Sequence, residues 1–378
     1  MRLVVDENIP FAEAFFASSV SELIRLPGAA IQASTLQEAD ALLVRSVTQV
    51  DAALLAQSRV QFVGSATIGV DHVDQAALAA RGIRFAHAPG CNADSVVDYV
   101  LACLLQLAEE QGWQLDQQRI GIVGVGQVGG RLARRLGQLG CRLLLNDPPR
   151  AAAEPQGNWA SLETLLEEAD LLCLHTPLVR DGLHPSWHLI GAAQLEKMRA
   201  RVLINAGRGA VIDPVALAAY LAQPTPAEVL LDVFEGEPNL DRELIAQLKL
   251  ATPHIAGYSL EGKGRGTEQL YQAWCQWQGQ LPQHQLADFL PEVPWRQLVL
   301  SPHLTPQQAA LQAASLVYQP ALDHWRLQQA LKQAQPTAAI YHQLRKQYPE
   351  RREFSSLEVV SDNPAQRAWL SALGFRLG

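Results

Sequence analysis

The chain has 378 residues, 48% hydrophobic and 18% charged, enough apolar material for more than one packed core. Its net charge of −8 gives no global basic field, which argues against nucleic acid as a partner but leaves room for a local anion pocket. Asp6 and Glu7 interrupt the first apolar run too early for a signal peptide, and no apolar run approaches the ~18 residues of a membrane span.

Short apolar runs at 3–5, 41–44, 62–64 and 83–86 predict strands, separated by helical stretches such as 52–56 and 75–80. Residues 94–110 read as a long helix carrying Asp94 and Asp98. A second series opens at Arg119, with strands predicted at 120–123, 142–145, 171–174, 202–204 and 229–231. Alternation of this kind is the pattern of a doubly wound parallel sheet. The helical stretch 261–280 is expected to return to the first unit, with Tyr271, Trp274 and Trp277 as its packing stripe. From about residue 285 prolines punctuate a linker-like stretch, followed by Gln- and Ala-rich helices at 307–316, 321–334 and 338–348. The expected architecture is α/β: two doubly wound parallel-sheet domains around a cleft, plus a smaller, largely helical C-terminal domain. The expected bounds are 1–95 with 256–284 for substrate binding, 96–255 for a Rossmann nucleotide domain, and 285–378 for the tail. The five cysteines are odd in number, widely spaced and lack a Cys-x-x-Cys pair, so reduced thiols in a cytoplasmic protein are expected.

The strand at 120–123 runs into Gly124-Val125-Gly126-Gln127-Val128-Gly129 and then a helix. Glycines there allow a tight turn, close approach of a pyrophosphate and close helix–strand packing, while the helix N-terminus supplies amides and a favourable dipole. Asp147 ends the next strand, where a carboxylate binds adenosine ribose hydroxyls and repels a 2′-phosphate. NAD is therefore the expected cofactor, with Arg150 as the argument for NADP.

Three segments fall at predicted strand ends of the same domain: Asn205-Ala206-Gly207-Arg208-Gly209, Asp232 through Glu237, and Thr252-Pro253-His254-Ile255-Ala256-Gly257. They supply an arginine, a carboxylate and a histidine. Removing hydride from a hydroxyl carbon needs a base for the hydroxyl proton, and histidine suits neutral pH. A neighbouring carboxylate orients the ring, and an arginine matches a substrate carboxylate bidentately. His184 and His188 lack a third ligand at metal-site spacing, so no metal is expected.

In these segments, over roughly residues 1–285, the chain resembles the D-isomer-specific 2-hydroxyacid dehydrogenases. The resemblance implies catalytic roles for Arg208 (substrate carboxylate), Glu237 (partner of the histidine) and His254 (proton donor and acceptor). It also places Thr176, Ala206, Asp232 and Gly257 with the cofactor residues Gly124, Gly126, Gln127, Val128, Gly129 and Asp147. Arg45, Ser46, Thr67 and Tyr258 are the candidates for substrate binding. Residues 341–357 are similar to the tail of one branch of the family, which implies a small phosphorylated hydroxy acid as substrate and a homodimer formed through the C-terminal domain. In the tail, Arg345, Lys346, Arg351 and Arg352 are further candidates for a phosphate. Two alternatives stay open: a dehydrogenase of another 2-hydroxy acid such as 3-phosphoglycerate, and a non-enzymatic NAD-responsive interaction protein. Neither membrane nor nucleic acid is an expected partner.

Overall fold

Parallel strands buried on both faces must be nearly continuous in apolar residues, and two such sheets organise the protein. The computed structural model describes residues 1–295 and 297–378. The chain divides into two compact units: Met1–Asp94 with Tyr258–Glu292, and Ser95–Gly257 with Val293–Gly378.

In the first unit β1 (Arg2–Asp6), β2 (Glu22–Leu26), β3 (Ala41–Val44), β4 (Phe62–Ser65) and β5 (Arg84–His87) form a parallel sheet in the order β2-β1-β3-β4-β5. Strand β2 escaped the sequence reading because it is an edge strand: Glu22 and Arg25 point to solvent and break up its apolar pattern. The helix Leu260–Gln278 belongs to this unit, as its stripe predicts. Tyr271 and Trp274 are fully buried, and Trp274 meets Phe16 and Phe62 edge-on at 6.0 and 5.5 Å.

The second unit holds a six-stranded parallel sheet of β6 (Arg119–Val123), β7 (Arg142–Asn146), β8 (Leu171–Leu174), β9 (Val202–Asn205), β10 (Glu228–Leu231) and β11 (Leu250–Ala251). Its order is β11-β10-β9-β8-β6-β7. Strand order reverses between β6 and β8, so the connections leaving their carboxyl ends part to opposite sides of the sheet and leave a crevice there, the place where open α/β sheets bind ligands. Strand β11 has only two residues, too short to register as a period, yet it delivers the chain to His254.

The tail belongs to this second unit from Val293 onward. Its helices Pro306–Val317, Pro320–Leu331 and Thr337–Lys346 match the expected helical stretches, two of them opening with proline in the first turn. The tail also holds a small parallel sheet of β12 (Leu298–Val299), β13 (Glu358–Val360) and β14 (Arg376–Leu377), and the helix Pro364–Leu373, which are not among the expected elements. That helix did carry readable signals: Asn363 caps it, Pro364 opens it, and Gly374 closes it at φ 93. Asp98 joins the tail to the sheet domain. Its carboxylate accepts from Arg135 Nη1 at 2.6 Å and from the Phe354 amide at 2.8 Å, while Ser95 Oγ donates to Glu353 Oε1 at 2.8 Å. Burial pushes the Asp98 carboxyl up to about 7 against the opposing pull of Arg135. All five cysteines are buried free thiols, and among the described residues no helix is long and apolar enough to cross a membrane.

Candidate active site

The glycines of the first strand-end loop do three different jobs. Gly124 has φ +84, and a Cβ there would lie 2.7 Å from the Thr176 amide nitrogen. A Cβ on Gly129 would lie 2.0 Å from the Gly124 carbonyl oxygen, so the helix Gln127–Gln138 sits directly on the turn. Gly126 faces open space and caps that helix without a side-chain hydrogen bond, leaving the helix N-terminus available to an anion.

Around this turn the protein offers polar groups that fit a dinucleotide. Thr176 Oγ1 is buried without a hydrogen-bond partner among the described residues. His175 beside it is buried with neither ring nitrogen bonded, and burial pushes it down to about 4, so the ring is neutral. Asp147 is half-buried: Oδ2 accepts from the Val125 amide at 2.8 Å and Oδ1 from the Arg150 amide at 3.1 Å. Each oxygen retains a lone pair for a ribose hydroxyl. Arg150, the argument for NADP, is already committed. Its Nη2 lies 2.6 Å from Glu154 Oε2, Nη1 donates to the Val125 carbonyl at 2.7 Å, and the guanidinium lies over Trp159 at 5.1 Å. With its charge matched by Glu154, it is a poor partner for a 2′-phosphate.

The next strand-end loops are laced to this one by further glycines. Gly207 packs on the backbone of 174–176, and a Cβ on Gly209 would lie 2.0 Å from the Phe234 carbonyl carbon. Arg208 stands between them, half-buried, with Nη1 donating to the Gly207 carbonyl at 2.9 Å. Its remaining guanidinium donors have no partner among the described residues. Ala206 precedes this pair at the end of β9.

Glu237 and His254 are in direct contact, with His254 Nδ1 2.8 Å from Glu237 Oε2. A carboxylate only accepts, so Nδ1 carries the proton and Nε2 presents its lone pair. Glu237 Oε1 accepts from the Phe234 amide at 2.7 Å, and Oε2 accepts a second bond, from Tyr341 Oη at 2.7 Å. Burial alone would raise this carboxyl. The hydrogen bond and charge of His254, with the Tyr341 and Phe234 donors, outweigh it and hold Glu237 below its ordinary value.

His254 itself sits in the left-handed region, φ 57, which costs a non-glycine residue of order 1 kcal/mol or more. Asp232 holds it there. The Asp232 carbonyl accepts the His254 amide at 2.7 Å, while its buried carboxylate accepts from Thr252 Oγ1 at 2.6 Å and the Ile255 and Ala256 amides at 2.8 and 2.9 Å. Burial pushes this carboxyl up to about 6 despite those donors and the nearby His254. Asp232 thus organises the histidine loop, a task the sequence does not announce. From the other side Arg351 donates to the carbonyls of Ala256 at 2.6 Å and Ser95 at 2.7 Å and stacks on Tyr318 at 4.2 Å.

This corrects one expectation. Arg351 and Arg352 are only 4% and 9% exposed, and Arg351 clamps backbone carbonyls instead of presenting a phosphate site. Arg345 is turned to Tyr341, leaving only Lys346 exposed in that group.

In the first unit Ser46 is exposed and Arg45 half-buried. The Thr67 hydroxyl donates to the Gly69 carbonyl at 2.8 Å and contacts Ser65 Oγ at 2.7 Å, so it shapes its own loop. The amides of Ile68, Gly69 and Val70 in that loop make no backbone hydrogen bond among the described residues, an arrangement suited to an anion. Tyr258 carries Lys263 Nζ 4.6 Å from its ring centroid, a cation that the sequence reading passed over.

A parallel nucleotide-binding sheet with arginine, glutamate and histidine on successive strand-end loops defines a class, the NAD-dependent 2-hydroxyacid dehydrogenases. The family model for the D-isomer specific 2-hydroxyacid dehydrogenase NAD binding domain matches residues 104–256, and one for a domain of unknown function (DUF3410) matches 289–374. Among solved structures, a D-lactate dehydrogenase from Treponema pallidum is 26% identical with TM-score 0.59, covering 75% of this chain and 98% of that one. The fold is also that of an Aquifex aeolicus D-lactate dehydrogenase complexed with NAD and lactic acid, 22% identical with TM-score 0.59, covering 74% and 96%. Erythronate-4-phosphate dehydrogenases match end to end: that of Pseudomonas aeruginosa PAO1 is 50% identical over all of both chains, and that of Proteus mirabilis 47% over 99% of each. The chain belongs to the erythronate-4-phosphate dehydrogenase family.

Proposed function

We propose that the protein catalyses the NAD-dependent oxidation of 4-phospho-D-erythronate to 3-hydroxy-2-oxo-4-phosphobutanoate, a step toward pyridoxal phosphate. The observation that carries the chemistry is the 2.8 Å contact between His254 and Glu237, with the tautomer it imposes. NAD supplies the hydride acceptor. Its pyrophosphate is assigned to the 124–129 turn and helix N-terminus, its ribose to Asp147, and further contacts to Thr176, Ala206, Asp232 and Gly257. Arg208 grips the C1 carboxylate through its uncommitted donors, and its charge draws electron density from the C2 oxygen. His254 Nε2 takes the C2 hydroxyl proton, and Glu237 stabilises the resulting imidazolium. Arg45, Ser46, Thr67 and Tyr258 of the first unit are assigned to substrate binding, Thr67 through the backbone of its loop.

Incubation with NAD and 4-phospho-D-erythronate should yield NADH and one equivalent of a 2-oxo acid that a hydrazine traps. NADH formation without a trappable 2-oxo acid, or no NADH at all, opposes the assignment.

We further propose a cytoplasmic homodimer formed through the tail. Leu316, Leu322 and Trp325 support it, being 45%, 47% and 57% exposed on two successive tail helices. Light scattering on the full chain should give twice its 41.3 kDa mass, whereas a monomer mass argues against the dimer.

A further inference from the structure

We propose that Tyr341 and Arg345, on the tail helix Thr337–Lys346, are positioning residues that set the basicity of His254 through Glu237. The proposal rests on the reading of His254 as the base. Glu237 Oε2 receives both His254 Nδ1 at 2.8 Å and Tyr341 Oη at 2.7 Å. Tyr341 is 3% exposed and lies 104 residues along the chain from Glu237. Arg345, one helical turn further on, donates from Nη1 to Tyr341 Oη at 3.0 Å, with its guanidinium 4.9 Å from the ring centroid.

The direction of this relay is fixed by chemistry. Arginine only donates, so the tyrosine oxygen accepts from it and turns its own proton to the carboxylate. Glu237 then receives the Phe234 amide on one oxygen and a phenol and an imidazole on the other. The first effect is geometric: the carboxylate is pinned, and with it the plane of the imidazole. The second is electrostatic. A donor that shares the carboxylate's charge weakens its pull on the imidazolium, so removing that donor should strengthen the hold of Glu237 on the imidazolium.

The other charged or titratable groups around this loop would remain in place. Asp232 acts on His254 through space. Pro253 borders a cavity of about 290 Å³ lined also by Asp323, Arg326 and Tyr348, His324 Nδ1 accepts from the Ala251 amide, and Arg351 holds the Ala256 carbonyl. None of these bonds Glu237 Oε2. The tail therefore contributes to the chemistry itself, beyond any part in dimer formation.

The test is the pH profile of kcat/KM for oxidation by the full chain and its Tyr341→Phe and Arg345→Gln variants. Losing the phenol hydrogen bond should move the acidic limb up by about half to one pH unit, with about threefold to tenfold lower activity on that limb and recovery at alkaline pH. Arg345→Gln should move it the same way by less, and the double variant should fall short of the sum. KM for NAD should stay unchanged. A uniform loss at every pH, as a merely structural role would produce, or an unmoved limb overturns the proposal. The imidazole titration of His254 followed by NMR requires no turnover and should shift in the same direction in Tyr341→Phe. An unshifted titration overturns the proposal whatever the substrate. Full turnover in His254→Ala instead removes the base assignment, so the two failures are distinguishable.

Discussion

His254→Ala should lower turnover by ~10²–10⁴ while leaving NAD affinity within about twofold of the parent protein. The reason is the division of labour among the loops. The 124–129 turn and Asp147 follow β6 and β7, whereas His254 follows β11 at the far edge of the same sheet. Alanine at 254 keeps the Asp232 anchor on the backbone amide and the φ of 57 that the histidine already carries, so the modest stability loss of order 1 kcal/mol expected alongside the kinetic one comes from the lost hydrogen bond to Glu237. His254→Asn tolerates that backbone better and should show the same kinetic loss with less destabilisation. Steady-state rates paired with calorimetric NAD titration check both. Turnover within tenfold of the parent would remove the histidine from the reaction.

The second large effect is expected at Arg208. Two charge-assisted hydrogen bonds to the C1 carboxylate, each contributing about 1.5–3 kcal/mol, correspond to a loss of ~10²–10⁴ in kcat/KM for Arg208→Ala. Both KM and kcat should suffer, because the same cation acts on the C2 oxygen as charge develops there. Arg208→Lys keeps the charge without the fork and should recover only part of the loss. Its packing explains why the neighbours matter. Gly209→Ala would drive a Cβ into the Phe234 backbone and should mimic the arginine loss by displacing the loop. An Arg208→Ala variant with unchanged KM and kcat would contradict the assignment.

What was legible in the sequence was whatever a short period or a fixed motif carries. Runs such as Leu171–Leu174 and the first three residues of Val202–Asn205 are apolar throughout because both faces of a central parallel strand are covered, and both strands are predicted within one residue. The glycines of the first turn were legible because Gly124 and Gly129 answer backbone demands that a side chain cannot meet, while Gly126 leaves open space at the helix N-terminus. The order of arginine, glutamate and histidine was legible because strand ends converge on one edge of the sheet. Strand β2 was lost to its own exposure and β11 to its length. Tyr341 was illegible for a different reason: its meaning lies entirely in a contact with Glu237, and no local pattern announces a partner that distant. Arg351 misled because a basic cluster in sequence looks solvated until the fold buries it among carbonyls.

The most direct measurement of the central claim is the initial rate of NADH appearance on 4-phospho-D-erythronate against 3-phosphoglycerate, at equal NAD and equal concentrations below saturation. The account predicts that kcat/KM for the four-carbon acid exceeds that for the three-carbon acid by at least tenfold. That margin is the difference of about 1.4 kcal/mol that one well-placed phosphate contact supplies. A preference for 3-phosphoglycerate, or no NADH from either, would contradict it.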